Sequence, residues 1–220
     1  MRPSNKVIVF SMMVCLAFLP VLSETIYAQG PFDEISEKLD TIQETLDNEV
    51  IPKLDMCCGG LPKTGQTESY ALGDDGDLEK GAPWPVPRFR DNGDGTVTDN
   101  LTGLVWLKNA DCLGTKTWAE ALAFCNSLAD GSCGLSDGSS VGAWRLPNAR
   151  ELFSLIDLSQ YNPALPAGHP FVNVRYDSYW SSTTLGEDTD SAWRLCMHCG
   201  HLSSDWKKDH HYVWPVRGGK

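Results

Sequence analysis

Hydrophobic residues are arranged along the chain in several distinct patterns, and each predicts a different element. The first is an unbroken apolar run from Val7 to Leu22, entered through Arg2 and Lys6 and followed by Ile26-Tyr27-Ala28. A positive start, a short apolar stretch and a small residue at the cut predict a secretory signal peptide over 1–28, removed after Ala28. A membrane anchor fits worse, because the run is short for a bilayer core and Pro20 interrupts it. Cys15 has no small residues before it, so a lipid anchor is not indicated.

The second pattern is a heptad seam. Phe32, Ile35, Leu39, Ile42 and Leu46 follow one another at alternating steps of three and four, while Asp33, Glu34, Glu37, Asp40, Glu44 and Asp47 fall outside the seam. Leu at a with Ile at d leans towards trimers or tetramers. Glu49 takes the next seam position and Pro52 forbids further helix. Residues 29–56 are therefore expected to form a short coiled-coil stalk; one amphipathic helix packed on its own domain is the alternative. A cysteine-glycine linker, 57–60, follows. Parallel helices bring Cys57 and Cys58 of neighbouring chains together, which predicts interchain disulfides, with a vicinal ring or an unpaired thiol as alternatives.

From 61 to 220 the periodicities are short and punctuated by turn residues. Asp91-Asn92-Gly93-Asp94-Gly95 between Arg88-Phe89-Arg90 and Thr96-Val97-Thr98 reads as a hairpin. A calcium loop is the weaker reading, because Gly93 and Gly95 stand where oxygen ligands are needed. Thr117-Trp118-Ala119-Glu120 is a capping box, and behind it Trp118, Ala121, Leu122, Cys125 and Leu128 share one helical face. Cys125 is thus expected to be a buried free thiol. A second helix starts at Asn148, capped by Glu151 and burying Leu152, Leu155 and Ile156. Cys112 and Cys133 flank the first helix, so a disulfide between them would staple it. Strands are expected over Tyr179–Thr184, Ala192–Met197 and Tyr212–Val216.

Composition narrows the function classes. The chain has 220 residues, 41% of them hydrophobic and 21% charged, which is ordinary for a folded protein. A formal charge of −11 argues against nucleic acid, which needs clustered Lys and Arg. Export places the remaining cysteines in an oxidising compartment, where most should pair.

Several motifs occur in a fixed order: Asp91 to Lys108 (DNGDGTVTDNLTGLVWLK), Trp144-Arg145-Leu146-Pro147-Asn148, Tyr179-Trp180-Ser181-Ser182-Thr183-Thr184, and Trp214-Pro215-Val216-Arg217-Gly218-Gly219. Together they closely resemble the family of the C-terminal domain of Legionella collagen-like adhesins. The resemblance implies an α+β, C-type-lectin-like domain over 61–220: two helices around a small twisted antiparallel sheet, with loop-rich surroundings. It also implies trimers, in agreement with the heptad seam, and sulfated glycosaminoglycan as ligand, which suits a charge of −11 poorly. Leu61-Pro62-Lys63-Thr64-Gly65 matches a cell-wall sorting signal, but a whole domain follows it, and Thr64 to Thr67 reads instead as the family's first strand.

The segment Arg194 to His211 (RLCMHCGHLSSDWKKDHH) concentrates histidine, cysteine and lysine. Alternation predicts Leu195 and Met197 in the core, with Arg194, Cys196 and His198 facing out. Three readings compete. Cys196, Cys199, His198, His201, His210 and His211 are zinc-like ligand types, although the spacing matches no zinc module. Cys196 and Cys199 also invite comparison with formylglycine-generating oxidases, which share the broad superfamily fold; the short-range match is confined to Val216-Arg217-Gly218-Gly219. The third reading is a ligand face on a fixed frame. Many relatives resemble targets of diversity-generating retroelements, which rewrite Asn codons by mutating adenines. Arg194, Cys196, His198, Cys199, His201, Ser203, Ser204, Asp205, Asp209, His210 and His211 fit such codons; Lys207 does not. Leu195, Met197, Gly200, Leu202, Trp206, Lys208 and Tyr212 would form the frame.

The sequence therefore predicts an exported, non-enzymatic, adhesin-like protein, secreted, periplasmic or held at the cell surface. Its ligand face comprises Arg194, Cys196, His198, Cys199, His201, Ser203, Ser204, Asp205, Trp206, Lys207, Asp209, His210 and His211. The expected partners are a surface glycan or protein and further copies of the chain, with a trimer favoured. No catalytic residue, metal site, cofactor or nucleic-acid partner is expected.

Overall fold

The computed structural model describes residues 30–45 and 60–218. The chain divides into two units after Ile51, each described here by itself. In the first, helix α1 spans Gly30–Thr45. Its seam residues Ile35, Leu39 and Ile42 are 55%, 53% and 56% exposed in the single chain. The expected signal peptide, Leu46 and Cys57-Cys58 lie outside the described residues. Among the described residues no helix is long and apolar enough to cross a membrane.

The second unit is an α+β domain with two sheets and few helices. Helix α2 is one short turn, Asp75–Leu78. Strands β1 (Phe89–Asp91), β2 (Thr96–Asp99) and β3 (Val105–Leu107) form a meander, joined at its β3 edge by the C-terminal β9 (Val216–Arg217). The β1–β2 hairpin is the one expected, with Arg90 opposite Thr98. Its acidic turn is occupied by local bonding: Asp94 Oδ1 accepts from the Thr96 N–H, and Asp91 pairs with Lys108.

The second sheet has the order β4-β8-β5-β6-β7. Its strands are β4 (Thr115–Lys116), β5 (Ser178–Thr184), β6 (Ser191–Cys196), β7 (His201–Trp206) and β8 (His211–Tyr212). All pairings are antiparallel except β5 with β8, which run parallel. The expectation of one small antiparallel sheet is thus corrected to two sheets with one parallel pair. The expected strand Tyr212–Val216 also divides. Pro215 has no N–H to give to a ladder, and the chain passes there from β8 in one sheet to β9 in the other. Thr64 to Thr67 forms no strand; the nearby contact is an isolated bridge between Pro62 and Ala82.

That crossing point is the centre of the core. Trp214 is fully buried, and its indole N–H donates to the Leu107 carbonyl at 2.8 Å. Its ring meets Trp106 edge-on at 5.8 Å and Phe171 at 4.8 Å, and lies 5.4 Å from Tyr179. Trp214 therefore touches both sheets. Trp144 and Trp180 are buried as well, their indoles donating to Ser139 Oγ and the Lys116 carbonyl. These partners offset the cost of burying a donor.

Helix α3 (Trp118–Ser127) covers a smaller cluster of Ala121, Cys125, Leu146, Trp180, Ala192 and Val213. Its Glu120 carboxylate accepts from the Thr117 N–H at 2.9 Å, as the capping pattern requires. Cys125 is buried and free, and burial pushes its thiol up to about 12. Cys112 and Cys133 form a disulfide across the helix, Cα to Cα 5.6 Å. Helix α4 (Ala149–Phe153) begins at Asn148, whose side chain accepts from the N–H groups of Arg150 and Glu151. It is shorter than expected: Leu155 and Ile156 are buried in the turn beyond it.

Candidate ligand-binding face

The segment 194–211 is a hairpin with a strand at the sheet edge. Its register places Cys196 opposite His201, Arg194 opposite Ser203 and Ser191 opposite Trp206. Leu195 and Met197 are fully buried, as alternation predicts. Trp206, expected both in the constant frame and on the ligand face, is 55% exposed. A six-residue strand spans roughly 20 Å, so the hairpin has a middle and two well-separated ends.

The middle is interlocked. Arg194 Nε lies 3.3 Å from Asp205 Oδ2, and His211 Nε2 reaches the same oxygen at 3.0 Å. Arg194 Nη1 also donates to Ser178 Oγ, and the His211 ring stands edge-on to Trp180 at 4.5 Å. Burial lowers the His211 pKa more than its bond to Asp205 raises it. Burial works to raise the Asp205 carboxyl, but the Trp206 N–H, His211 and Arg194 together hold it below the usual range. Arg194 and His211, both expected on the ligand face, do not stand free in solvent. Both are half-buried and tied through Asp205, so none of the three varies without stranding another.

The turn end, Met197 to Gly200, carries His198, Cys199 and, at the start of β7, His201, all exposed. Its backbone is fixed: the Gly200 N–H donates to the Cys196 carbonyl at 2.9 Å, and the Ala164 N–H to the Met197 carbonyl at 2.8 Å. Gly200 has φ +70, and a Cβ there would lie 2.9 Å from Ile156 Cγ2, so only glycine fits. His198 Nδ1 bonds Asn162 Oδ1. Cys196 and Cys199 are both free thiols.

The far end holds Trp206 to His210 and faces the loop joining β5 to β6. Asp188, Asp190, Trp206, Lys207 and Lys208 line a half-open depression of ≈ 520 Å³. Lys207 is fastened: its ammonium donates to Thr184 Oγ1 at 2.9 Å and to the Thr189 carbonyl at 2.8 Å, over the Trp118 ring. Lys208 is exposed, its ammonium 4.0 Å over the Trp206 ring. Lys207, expected on the ligand face, thus lines the depression with its ammonium already bonded, and Lys208, expected in the frame, lines it exposed. Asp188 accepts from Ser191 Oγ at 2.7 Å and from the Asp190 N–H at 3.1 Å, and these bonds hold its carboxyl below the usual range. Sequence reasoning missed Asp188 and Asp190 altogether. The pairing of Ser191 with Trp206, with the Lys207 N–H donating to the Asp190 carbonyl at 2.9 Å, brings their loop beside the end of β7.

Of the remaining expected residues, His210 is exposed, while Ser203, Ser204 and Asp209 are half-exposed. The zinc-like set is divided, with Cys196, His198, Cys199 and His201 at the turn end, His211 in the interlocked middle and His210 at the far end. Among the described residues no group of three or more His, Cys, Asp or Glu side chains is gathered closely enough to hold a metal ion.

Comparison with known proteins gives one family. The family whose model matches is described as the Lcl C-terminal domain, and the match covers residues 95–217, more than half of the chain. No curated protein matches it.

Proposed function

We propose, from the premise that the chain belongs to the Lcl C-terminal domain family, that it is an exported, non-enzymatic, adhesin-like recognition protein. The observation that carries this reading is the construction of the 194–211 hairpin. Its interior is pinned by Leu195, Met197 and the Arg194–Asp205–His211 set, while both ends present polar and aromatic side chains to solvent. Functional residues on loops held by a rigid scaffold are the usual design of a binding module. The two-sheet α+β domain is compatible with the C-type-lectin-like fold that the resemblance implies, and the Cys112–Cys133 disulfide supports an oxidising compartment. The exposed seam of α1 supports assembly of copies through parallel helices, with Cys57 and Cys58 locking them and a trimer favoured. Diversification of the exposed end positions remains part of this reading, while Arg194, Asp205 and His211 belong to the frame.

The test is capture of the mature chain on an array of immobilised surface glycans and purified surface proteins, with light scattering on the same sample. Saturable capture by an oligomer supports the reading. A strict monomer at micromolar concentration would remove the assembly part. Domain melting on chelation, or thiol-dependent turnover abolished by Cys196→Ser, would replace it with the metal or oxidase alternative.

A further inference from the structure

We propose that the depression between Trp206 and the Asp188-Thr189-Asp190 loop is a site for a neutral, hydroxyl-bearing sugar ring. This rests on the recognition reading above and names the ligand class of one end of the hairpin. Trp206 closes β7 at the sheet edge with 55% of its surface exposed, although it is the kind of side chain most worth burying. An apolar ring face at the wall of a depression is the complement of the C–H face of a sugar ring.

The polar lining carries the chemistry further. It supplies two carboxylates, Asp188 and Asp190, and two ammonium groups, Lys207 and Lys208. Their formal charges cancel, so the site favours neither a polyanion nor a polycation. What remains is a set of acceptors and donors, which is what vicinal hydroxyls require. Asp188 is oriented in advance by Ser191 Oγ and the Asp190 N–H, and Lys207 by Thr184 Oγ1 and the Thr189 carbonyl. Such pre-orientation lowers the ordering cost of binding. The Asp190 carboxylate is exposed, and the Lys208 ammonium has only the Trp206 ring beneath it, so both can turn to a ligand. A sulfated glycan would meet the two carboxylates on a chain whose net charge is already −11. A cationic peptide would meet the Lys207 and Lys208 ammonium groups in the lining, whereas a sugar ring stacking on Trp206 turns Lys208 aside to its own hydroxyls.

The experiment is retention of the full mature chain on mannan, dextran and agarose beads, beside heparin and poly-lysine beads, with intrinsic tryptophan fluorescence read during titration by the soluble polymer. The proposal expects retention on at least one neutral polymer with a shift in tryptophan emission. Trp206→Ala should weaken that binding about tenfold or more, and Asp190→Asn measurably, as expected for an aromatic anchor and its polar partner. Circular dichroism of each variant checks that the domain is folded. Retention on heparin or poly-lysine alone would overturn the proposal, as would no retention on any neutral polymer. Neutral-polymer binding that survives Trp206→Ala but falls with His198→Ala and His201→Ala would also overturn it, while leaving the hairpin-face reading standing.

Discussion

Trp214 is fully enclosed between the two sheets, whereas Trp206, one strand earlier, leaves more than half of its surface in water. Trp214 packs on Trp106, Phe171 and Tyr179 and gives its N–H to Leu107. Trp206 carries the ammonium of Lys208 over its ring and faces an acidic loop across a depression. The same residue type thus fastens the frame in one place and faces outward in the other. The contrast separates what holds the domain together from what the domain can offer a ligand, and it can be broken or sharpened by mutation.

The largest expected effect lies in the frame. Trp214→Ala should cost about 3–5 kcal/mol, as large-to-small changes at buried aromatics do, and should leave little folded protein in a urea titration. Trp206→Ala should change stability by less than about 0.5 kcal/mol, as exposed substitutions usually do. Comparable losses from the two would erase the distinction.

The cysteines draw the same line with a smaller effect. The Cys112–Cys133 disulfide closes a loop of about 20 residues, worth roughly 3 kcal/mol, so a Cys112→Ser, Cys133→Ser double mutant should melt well below wild type. In the native protein Cys199 should react readily with a thiol reagent and Cys125 should resist it. Cys125 is buried and its thiol is pushed up to about 12, so almost no thiolate forms at neutral pH. Peptide mapping that found Cys125 bonded to either partner would contradict this.

The interlocked middle of the hairpin should show in pH dependence. Burial keeps the folded-state pKa below the ordinary histidine value both for His211 and for His169, which is half-buried outside the hairpin with its ring 5.8 Å from that of Phe171. The unfolded chain therefore binds more protons below about pH 6.5. Stability from this source is present above that pH and is lost as pH falls through the folded-state values. The expected outcome is a lower melting temperature at pH 5 than at pH 7, with a smaller difference in His211→Gln. A variant that keeps the full wild-type pH dependence would remove His211 from the frame.

Much of the interior was legible from periodicity and capping. Thr117 with Glu120 and Asn148 with Glu151 marked both helix starts, because a cap is a local arrangement of neighbouring residues. The Asp91–Gly95 turn was likewise readable, since its side chains bond within the turn itself. The division of Tyr212–Val216 between two sheets was not, because it depends on which distant strands receive each part. The same limit hid Asp188 and Asp190, which come to line the depression through the pairing of β6 with β7 and the bonds from Lys207 to their loop. Residue type alone also could not tell Lys207 from Lys208. Their neighbouring positions send one ammonium into the loop and the other over Trp206.

The central claim, that the ends of the hairpin form a recognition face separable from the frame, is tested most directly by one combined variant. His198→Ala, Cys199→Ser, His201→Ala, Trp206→Ala and His210→Ala replace exposed end residues and leave Arg194, Asp205 and His211 intact. Its melting temperature and its capture on the glycan and protein array should be measured beside wild type. The account predicts a melting temperature within a few degrees of wild type and loss of capture. A domain that no longer folds, or one that folds and is captured as before, would contradict it.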